Sequence, residues 1–305
     1  MNNHLTRAII GCDTTWDYAQ LMPIGCLLWR DLVGYTPRVM LVGNEAAWSV
    51  DSCTSAALAA LRHHGIEHVF VRPAPSYKTS TVAMTARTHA ACDPALPGEA
   101  WLLLADADLW PTSRSVYRRH EHRAERAVAY FHNANCFQNK EEVLSGWDAQ
   151  VPFQPISSNY FTMRVGGFRE LYRYASPDSG ESVRATLDEH LRPRMERIPE
   201  KASDAQWHFD EYRMSERLCR QPWFDRDVVL VPRGGEHPRG HLAPWAEGGD
   251  WEGGMRVEEW VDVHIRKGVY AERRWEKLLP VLHRLLPMHA EWMRGYFEDS
   301  VKDAR

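Results

Sequence analysis

The chain has 305 residues, of which 44% are hydrophobic and 26% are charged, and its formal net charge at pH 7 is −4. These values are ordinary for a soluble globular protein. They argue against a nucleic-acid-binding protein, which would carry a surplus of basic residues. The six cysteines include no CxxC pair and no zinc-type spacing, so we expect free thiols in a reducing compartment.

No apolar stretch approaches the roughly 18 residues that suggest a membrane-spanning helix. The opening ten residues also lack the apolar core of a secretory signal. We therefore expect a cytoplasmic protein with no integral membrane segment. The sequence contains 13 tryptophans, a residue that often faces sugars but is equally good core material.

Short apolar runs alternate with longer amphipathic segments along the first 110 residues. The runs predict strands at 7–12, 38–43, 68–72 and 101–106, and the segments between them predict helices at 17–33, 46–64 and 79–92. This order predicts a parallel sheet covered by helices. Because the runs are apolar throughout rather than alternating, we expect strands that are buried on both faces.

The second half is less regular, and no internal repeat or linker divides the chain. We predict strands at 127–132, 160–165 and 228–233, helices at 166–176, 181–192 and 204–220, and a C-terminal amphipathic helix at 271–296. The Gly-, Pro- and Trp-rich segment 232–254 predicts a long loop, and loops of this length are usually functional or disordered. Trp245 and Trp251 argue against plain disorder. The simplest interpretation is one α/β domain.

Two carboxylates stand where the fourth predicted strand ends. Asp106 and Asp108 follow the apolar run that begins at Trp101. Ligands of open parallel sheets bind beyond the carboxyl ends of the strands, and paired carboxylates there suit Mg²⁺ or Mn²⁺. The alternative is an Asx-type turn in which both side chains bind backbone amides.

Two enzyme classes place a D-x-D motif after a buried strand. In haloacid-dehalogenase-type phosphatases the first Asp is a nucleophile, but the motif normally follows the first strand. In nucleotide-sugar glycosyltransferases it follows a nucleotide-binding half of about 100 residues. Three predicted strand-helix units precede Asp106 here, so its position favours the second class.

The sequence resembles the glycosyltransferases of the GT-A fold, including cytoplasmic members from large DNA viruses and bacteria. The motifs that carry the resemblance lie at 9–43, at 101–111 (WLLLADADLWP), at 203–218 and at 261–268 (VDVHIRKG). The resemblance implies a GT-A-like, Rossmann-like α/β fold with a mostly parallel central sheet flanked by helices. It also implies one domain over 1–305, with a nucleotide-sugar-binding half (1–110), a less regular acceptor-binding half (111–270) and a C-terminal helix (271–305).

The resemblance implies that His264 joins Asp106 and Asp108 in holding Mn²⁺ or Mg²⁺ on a diphosphate. A neutral imidazole is a good Mn²⁺ ligand, although a packed histidine is the alternative. Lys267, beside Arg266, would neutralise the departing diphosphate, or would be one of two solvated cations.

Further candidates for nucleotide binding lie in the first half. In such enzymes the loop after the first strand, here Asp13 and Thr14, holds the base and ribose; both residues are also good helix caps. Lys78 at the entry of the third predicted helix and Arg87 inside it are candidates for binding phosphates or ribose. The alternative for Arg87 is a surface helix charge.

The acidic pair Asp210 and Glu211 is the candidate general base for an acceptor hydroxyl, with Asp210 ahead of Glu211. Acidic side chains near a helix start also interact favourably with the helix dipole, which is the alternative. An inverting enzyme needs such a base, whereas a retaining one does not, and the family contains both types. Some retaining members carry a D-Q motif here, so the D-E pair of this chain favours inversion.

Together these residues predict a metal-dependent hexosyl- or pentosyltransferase. The donor would be a UDP- or GDP-linked sugar, and the acceptor a hydroxyl of a glycan or small molecule. The alternatives are a haloacid-dehalogenase-type phosphatase and a carbohydrate-binding protein without catalysis.

Overall fold

A computed structural model describes residues 6–118, 128–132, 139–145, 152–197, 199–231, 240–242, 262–265, 275–276 and 278–300. These residues form a mixed α/β structure in which helices flank a seven-stranded, mostly parallel sheet, as predicted. The strands of that sheet are β1 (Thr6–Cys12), β2 (Thr36–Val42), β3 (Glu67–Val71), β4 (Trp101–Ala105), β6 (Ala129–Phe131), β7 (Phe161–Arg164) and β8 (Val228–Leu230). A three-stranded sheet contains β5 (Leu109–Pro111), β9 (Gly240–Leu242) and β10 (Asp262–Ile265).

The large sheet has the strand order β3-β2-β1-β4-β7-β6-β8. Strands β3, β2, β1 and β4 are parallel, whereas β7 runs antiparallel to β4 and β6. Every residue of β4 is buried, as its uninterrupted apolar sequence predicted. Because β1 lies between β2 and β4, the strand order reverses there, and the carboxyl ends of β1 and β4 meet at that point.

Helices pack on both faces of this sheet. The longer ones are α3 (Ser52–His63), α4 (Thr79–His89), α7 (Val165–Tyr172), α8 (Ser179–Thr186), α11 (Phe209–Cys219) and α14 (Ala290–Ser300). The shorter ones are α1 (Trp16–Ala19), α2 (Met22–Leu27), α5 (Arg114–Tyr117), α6 (Lys140–Leu144), α9 (Arg192–Arg197), α10 (Ala202–Trp207), α12 (Phe224–Asp227) and α13 (Leu279–Leu285). One core lies on the α4 and α11 face, a second on the α3 face, and a third joins α2 to the C-terminal helices.

Several predicted helices are interrupted in the structure. The predicted helix 17–33 is α1, α2 and a π-helical segment (Leu28–Val33), with Pro23 in the first turn of α2. In place of one C-terminal helix, α13 and α14 are separated by a 3₁₀ turn that starts at Pro287, which has no backbone N–H to continue α13. The predicted helix 204–220 is divided into α10 and α11 at His208.

The small sheet brings a distant segment back to the D-x-D motif. Strand β10 pairs antiparallel with β5, and His264 lies opposite Leu109. The backbone N–H of Ile265 also donates to the carbonyl oxygen of Asp108 over 2.8 Å. Residues 262–265 therefore lie beside the end of β4, although about 155 residues of chain separate the two segments.

Helix α4 crosses β1 at unusually close range. A Cβ atom built on Gly11 would lie 2.0 Å from the carbonyl oxygen of Ala83 and 3.0 Å from Cγ of Arg87. Only a glycine at this position lets the backbone of α4 approach β1, and this approach places Arg87 at the carboxyl end of the sheet.

We predict that Gly11→Ala lowers the free energy of unfolding by at least about 1–3 kcal/mol, because the added methyl group overlaps a backbone carbonyl. Denaturant unfolding measures the change. Gly98→Ala is the matched control, since no heavy atom lies within 4 Å of its added Cβ. Equal stability of the two variants would contradict the close crossing.

Candidate active site

A cavity of about 230 Å³ opens at the carboxyl ends of β1 and β4. Its lining contains Asp13 after β1, Asp106 and Asp108 after β4, His264 on β10 and Glu211 on α11. Titratable side chains from four separate segments of the chain thus face one space. Such a site beyond the strand ends, where the strand order reverses, is the ordinary ligand position in open α/β sheets.

Asp108 and His264 are in direct contact. The Nε2 atom of His264 lies 3.2 Å from Oδ2 of Asp108, and both side chains line the cavity. The pairing of β10 with β5 fixes this contact, because His264 and Leu109 are cross-strand partners. The structure therefore brings together two of the three residues that the sequence nominated as metal ligands.

Asp106 faces a different partner. Its Oδ1 accepts a hydrogen bond from Nη1 of Arg87, whose side chain is only 1% exposed. Burial raises the pKa of Asp106 to about 6, an effect that the guanidinium of Arg87 partly offsets and the nearby carboxylate of Asp108 reinforces.

The guanidinium of Arg87 also holds Asp210. Nη2 of Arg87 donates to Oδ2 of Asp210 over 2.5 Å and to Oγ of Ser158 over 3.0 Å. Burial opposes the charge of Arg87, but the two carboxylates outweigh it and raise the pKa of the guanidinium. Arg87 is thus a buried bridge between β4 and α11, and the alternative interpretation of a surface helix charge is wrong.

Asp210 and Glu211 occupy different environments. The side chain of Asp210 is 1% exposed, burial raises its pKa, and Asp210 is not part of the cavity lining. Glu211 does line the cavity: its Oε1 accepts the N–H of Ser158 at 3.3 Å, and its Oε2 lies 3.3 Å from Nδ1 of His208. Access to the cavity therefore favours Glu211 over Asp210, the reverse of the order expected from the sequence.

Two further lining residues escaped the sequence analysis. Trp207 and His208 stand at the junction of α10 and α11, and both line the cavity beside Glu211. The amphipathic pattern over 204–220 predicted one continuous helix. In the structure 43% of Trp207 is exposed. Only the break at His208 turns this part of the chain towards the cavity.

Of the residues nominated for nucleotide binding, some line the cavity and others do not. Asp13 is buried and lines the cavity, where its Oδ2 accepts from Oγ1 of Thr79 (2.6 Å) and its Oδ1 accepts from the N–H of Thr15 (3.0 Å). Thr14 and Lys78 are not lining residues, and the Nζ of Lys78 donates to Ser203 over 2.6 Å. Asp13 thus ties the loop after β1 to the start of α4.

Lys267 and its neighbour Arg266 lie outside the described residues, as does most of the 232–254 segment. The positions of these predicted site residues therefore stay predictions.

The side chains of Asp106, Asp108 and His264 are of the chemical types that bind a hard divalent cation, since two carboxylates and an imidazole face one cavity. Within the described ranges, however, no three His, Cys, Asp or Glu side chains are grouped closely enough to hold a metal ion. Asp108 and His264 are adjacent, whereas Asp106 is held by Arg87. Binding by all three side chains would require them to move closer together.

No described helix is long and apolar enough to cross a membrane. The five cysteines in the described part of the chain are unpaired, as predicted; they are Cys12, Cys26, Cys53, Cys92 and Cys219.

No protein-family model and no curated protein matches the chain. Similar solved structures include the galactosyltransferase LgtC with donor and acceptor sugar analogues, at 11% identity and a TM-score of 0.46 over 95% of this chain and 99% of that one. Another is glucosyl-3-phosphoglycerate synthase from Mycobacterium tuberculosis with Mn²⁺, UDP and phosphoglyceric acid, at 12% identity and a TM-score of 0.38 over 93% and 79%. A third is 4-diphosphocytidyl-2C-methyl-D-erythritol synthase from Anaerococcus prevotii, at 12% identity and a TM-score of 0.37 over 74% and 86%.

Glycosyltransferases are thus among the solved structures that the chain resembles. With identities of 11–12% and TM-scores below 0.5, these likenesses carry no conclusion about the reaction or its substrates.

We predict that Arg87→Met lowers the free energy of unfolding by about 3–5 kcal/mol at pH 8, because the buried carboxylate of Asp210 and the half-buried carboxylate of Asp106 are left without their cation. The loss should be smaller at pH 5. Without the guanidinium, the pKa values of Asp106 and Asp210 in the folded protein rise further above their values in the unfolded chain. The folded state therefore loses stability as the pH rises from the unfolded pKa towards the folded pKa.

Denaturant unfolding at the two pH values tests this prediction. Arg62→Met is the matched control, because Arg62 pairs with Glu45 at the surface, where an ion pair contributes no more than about 1 kcal/mol. A loss in Arg87→Met that is small or independent of pH would contradict the buried bridge.

Proposed function

We propose that this chain is a metal-dependent glycosyltransferase that moves a sugar from a UDP- or GDP-linked donor to a hydroxyl of a glycan or small molecule. The observation that carries the proposal is the convergence of Asp106, Asp108 and His264 on one cavity, where the strand order of the sheet reverses. The unpaired cysteines agree with a cytoplasmic location.

The donor would lie against the first half of the chain (1–110), with Asp13 on its nucleoside side. Asp106, Asp108 and His264 would hold Mn²⁺ or Mg²⁺, and the bound cation would offset the negative charge that builds on the leaving diphosphate. Lys267 is proposed as a further partner of the diphosphate. Thr14 and Lys78 are left out of the proposed site, because neither lines the cavity.

Arg87 is assigned to holding Asp106 in place rather than to gripping the nucleotide. Its guanidinium already donates to Asp106, Asp210 and Ser158. Its charge nevertheless lies beside the position proposed for the diphosphate, at the cavity wall. This assignment follows from the hydrogen-bond partners of Arg87. Those partners could not be predicted from the position of Arg87 in an amphipathic helix.

The acceptor would lie against the second half (111–270), where Trp207, His208 and Glu211 line the cavity. A tryptophan face is a good surface for a sugar ring, because it combines a large apolar area with few rotatable bonds. A proton acceptor among these residues would allow direct displacement at the anomeric carbon, and hence inversion. The C-terminal helices would complete a single domain over 1–305.

We predict that UDP or GDP raises the melting temperature of the protein in the presence of Mn²⁺, and that CMP or Mn²⁺ alone raises it less. Ligand binding to the folded state produces such a shift. Asp108→Asn should abolish the metal-dependent part by removing a charged ligand beside His264. Thermal-shift measurements with and without EDTA test this.

Asp225→Asn is the control for charge removal, since Asp225 is exposed and lies outside the cavity lining. Nucleotide shifts that persist unchanged in EDTA would contradict the metal role. A trapped aspartyl-phosphate would indicate the phosphatase alternative, and sugar affinity without nucleotide or metal dependence would indicate the binding-protein alternative.

We predict that Trp207→Ala raises the KM for a sugar acceptor about tenfold, because a stacking surface in the cavity wall is lost. The shift produced by UDP or GDP with Mn²⁺ should not change, since Trp207 is placed on the acceptor side. Initial rates at varied acceptor concentration measure the effect. Trp207→Phe keeps an aromatic face and should retain most of the affinity; equal losses of donor and acceptor binding would contradict the placement.

A further inference from the structure

His208 is the single residue between helices α10 and α11, at the wall of the cavity. It follows the last residue of α10 and precedes the first residue of α11, and its backbone (φ −102°, ψ 13°) differs from that of either helix interior. Its side chain is 49% exposed and lines the same cavity as Asp106 and Asp108. A half-exposed imidazole is well placed to exchange a proton with a ligand in that cavity.

Glu211 orients the ring of His208. Its Oε2 lies 3.3 Å from Nδ1 of His208, and its Oε1 is held by the backbone N–H of Ser158. With both oxygens engaged, the carboxylate has a defined direction. When Nδ1 donates its proton to Glu211, Nε2 carries the free lone pair of the neutral ring.

From this arrangement we infer that His208 is the general base of the proposed transfer reaction and that Glu211 is its positioning residue. Nε2 of His208 takes the proton of the acceptor hydroxyl while the oxygen forms its bond to the anomeric carbon of the donor sugar. The bond from that carbon to the diphosphate breaks, and its electron pair leaves with the nucleoside diphosphate. The inference rests on the proposed function and names the atom that receives the proton.

The neighbouring carboxylates are less suited to that task. Both partners of Asp210, Arg87 and Ser158, hold the same oxygen, Oδ2, and its side chain is shut off from the cavity. The oxygens of Glu211 already face the N–H of Ser158 and the ring of His208. Of these three side chains, His208 is the one that lines the cavity with a ring nitrogen, Nε2, outside the contact with Glu211.

The charges that face His208 set the expected pH dependence. The hydrogen bond that His208 donates to Glu211 raises the pKa of His208, burial opposes this, and the carboxylates of Asp210 and Asp204 add to the rise. A base must be unprotonated to act, so the rate should increase with pH through a pKa above that of an ordinary histidine. Glu211→Gln removes the main cause of the shift, and the rise should move to lower pH.

The experiment follows release of nucleoside diphosphate from UDP-glucose and GDP-mannose with Mn²⁺, with water as the acceptor, between pH 5 and 9. His208→Asn should lower kcat by about 100-fold or more and remove the pH-dependent rise. Glu211→Gln should retain more activity than His208→Asn, with the rise at lower pH. Thermal unfolding of each variant measures any loss of folded protein.

His289→Asn is the matched control. His289 also pairs with a carboxylate, Asp31, at 2.8 Å, but this pair lies outside the cavity lining, so the pH profile should stay unchanged. If His208→Asn keeps the wild-type rate, or if Glu211→Gln is the more damaging change, the assignment of the base is overturned. A change in thermal stability with an unchanged pH profile would show that the pair only stabilises the start of α11.

The two proposals fail in different ways. If the unaltered protein neither binds UDP or GDP with Mn²⁺ nor releases them from either donor, the proposed function is overturned and His208 loses its role with it. If binding and release persist and His208→Asn behaves like wild type, only the assignment of the base fails.

Discussion

The site is organised around a buried guanidinium. Arg87 bonds to Asp106 at the end of β4 and to Asp210 on α11, and so joins elements that are far apart in the chain. Charges so deeply buried persist only when each is paired, which restricts where β4 and α11 lie relative to one another. The glycine at position 11 makes the arrangement possible, because it lets α4 carry Arg87 across β1.

The same bridge separates the roles of the acidic residues. Asp106 is drawn towards Arg87, whereas Asp108 is left beside His264. On α11, Asp210 is withdrawn from the cavity and Glu211 remains at its surface. A neutral side chain in place of Arg87 would leave the buried Asp210 and the half-buried Asp106 without the cation that they share. The different surroundings of Asp106 and Asp108, and of Asp210 and Glu211, thus have one electrostatic origin.

Much of the sheet was predictable from local sequence. The apolar runs of β1, β2 and β4 are short and bounded by turn residues, so burial on both faces could be inferred without knowing any partner. The same expectation was wrong for β3, which lies at the edge of the sheet and in which only Val71 is buried. The interruptions of the helices were harder to predict. A hydrophobic period continues across His208, and only the packing of α10 and α11 against α4 and their neighbours decides that the chain turns there.

The sequence by itself determined the α/β class, the place of Asp106 and Asp108 at the end of a buried strand, and the candidacy of His264. The first two features depend on short-range pattern and on the general rule that ligands bind beyond the strand ends, whereas His264 was nominated by the resemblance of its motif to a known family. Only the tertiary structure decided that Arg87 bridges Asp106 and Asp210, that Glu211 rather than Asp210 reaches the cavity, and that His208 faces it. These features depend on contacts between segments that are distant in the chain. Such contacts leave no periodic signal in the sequence.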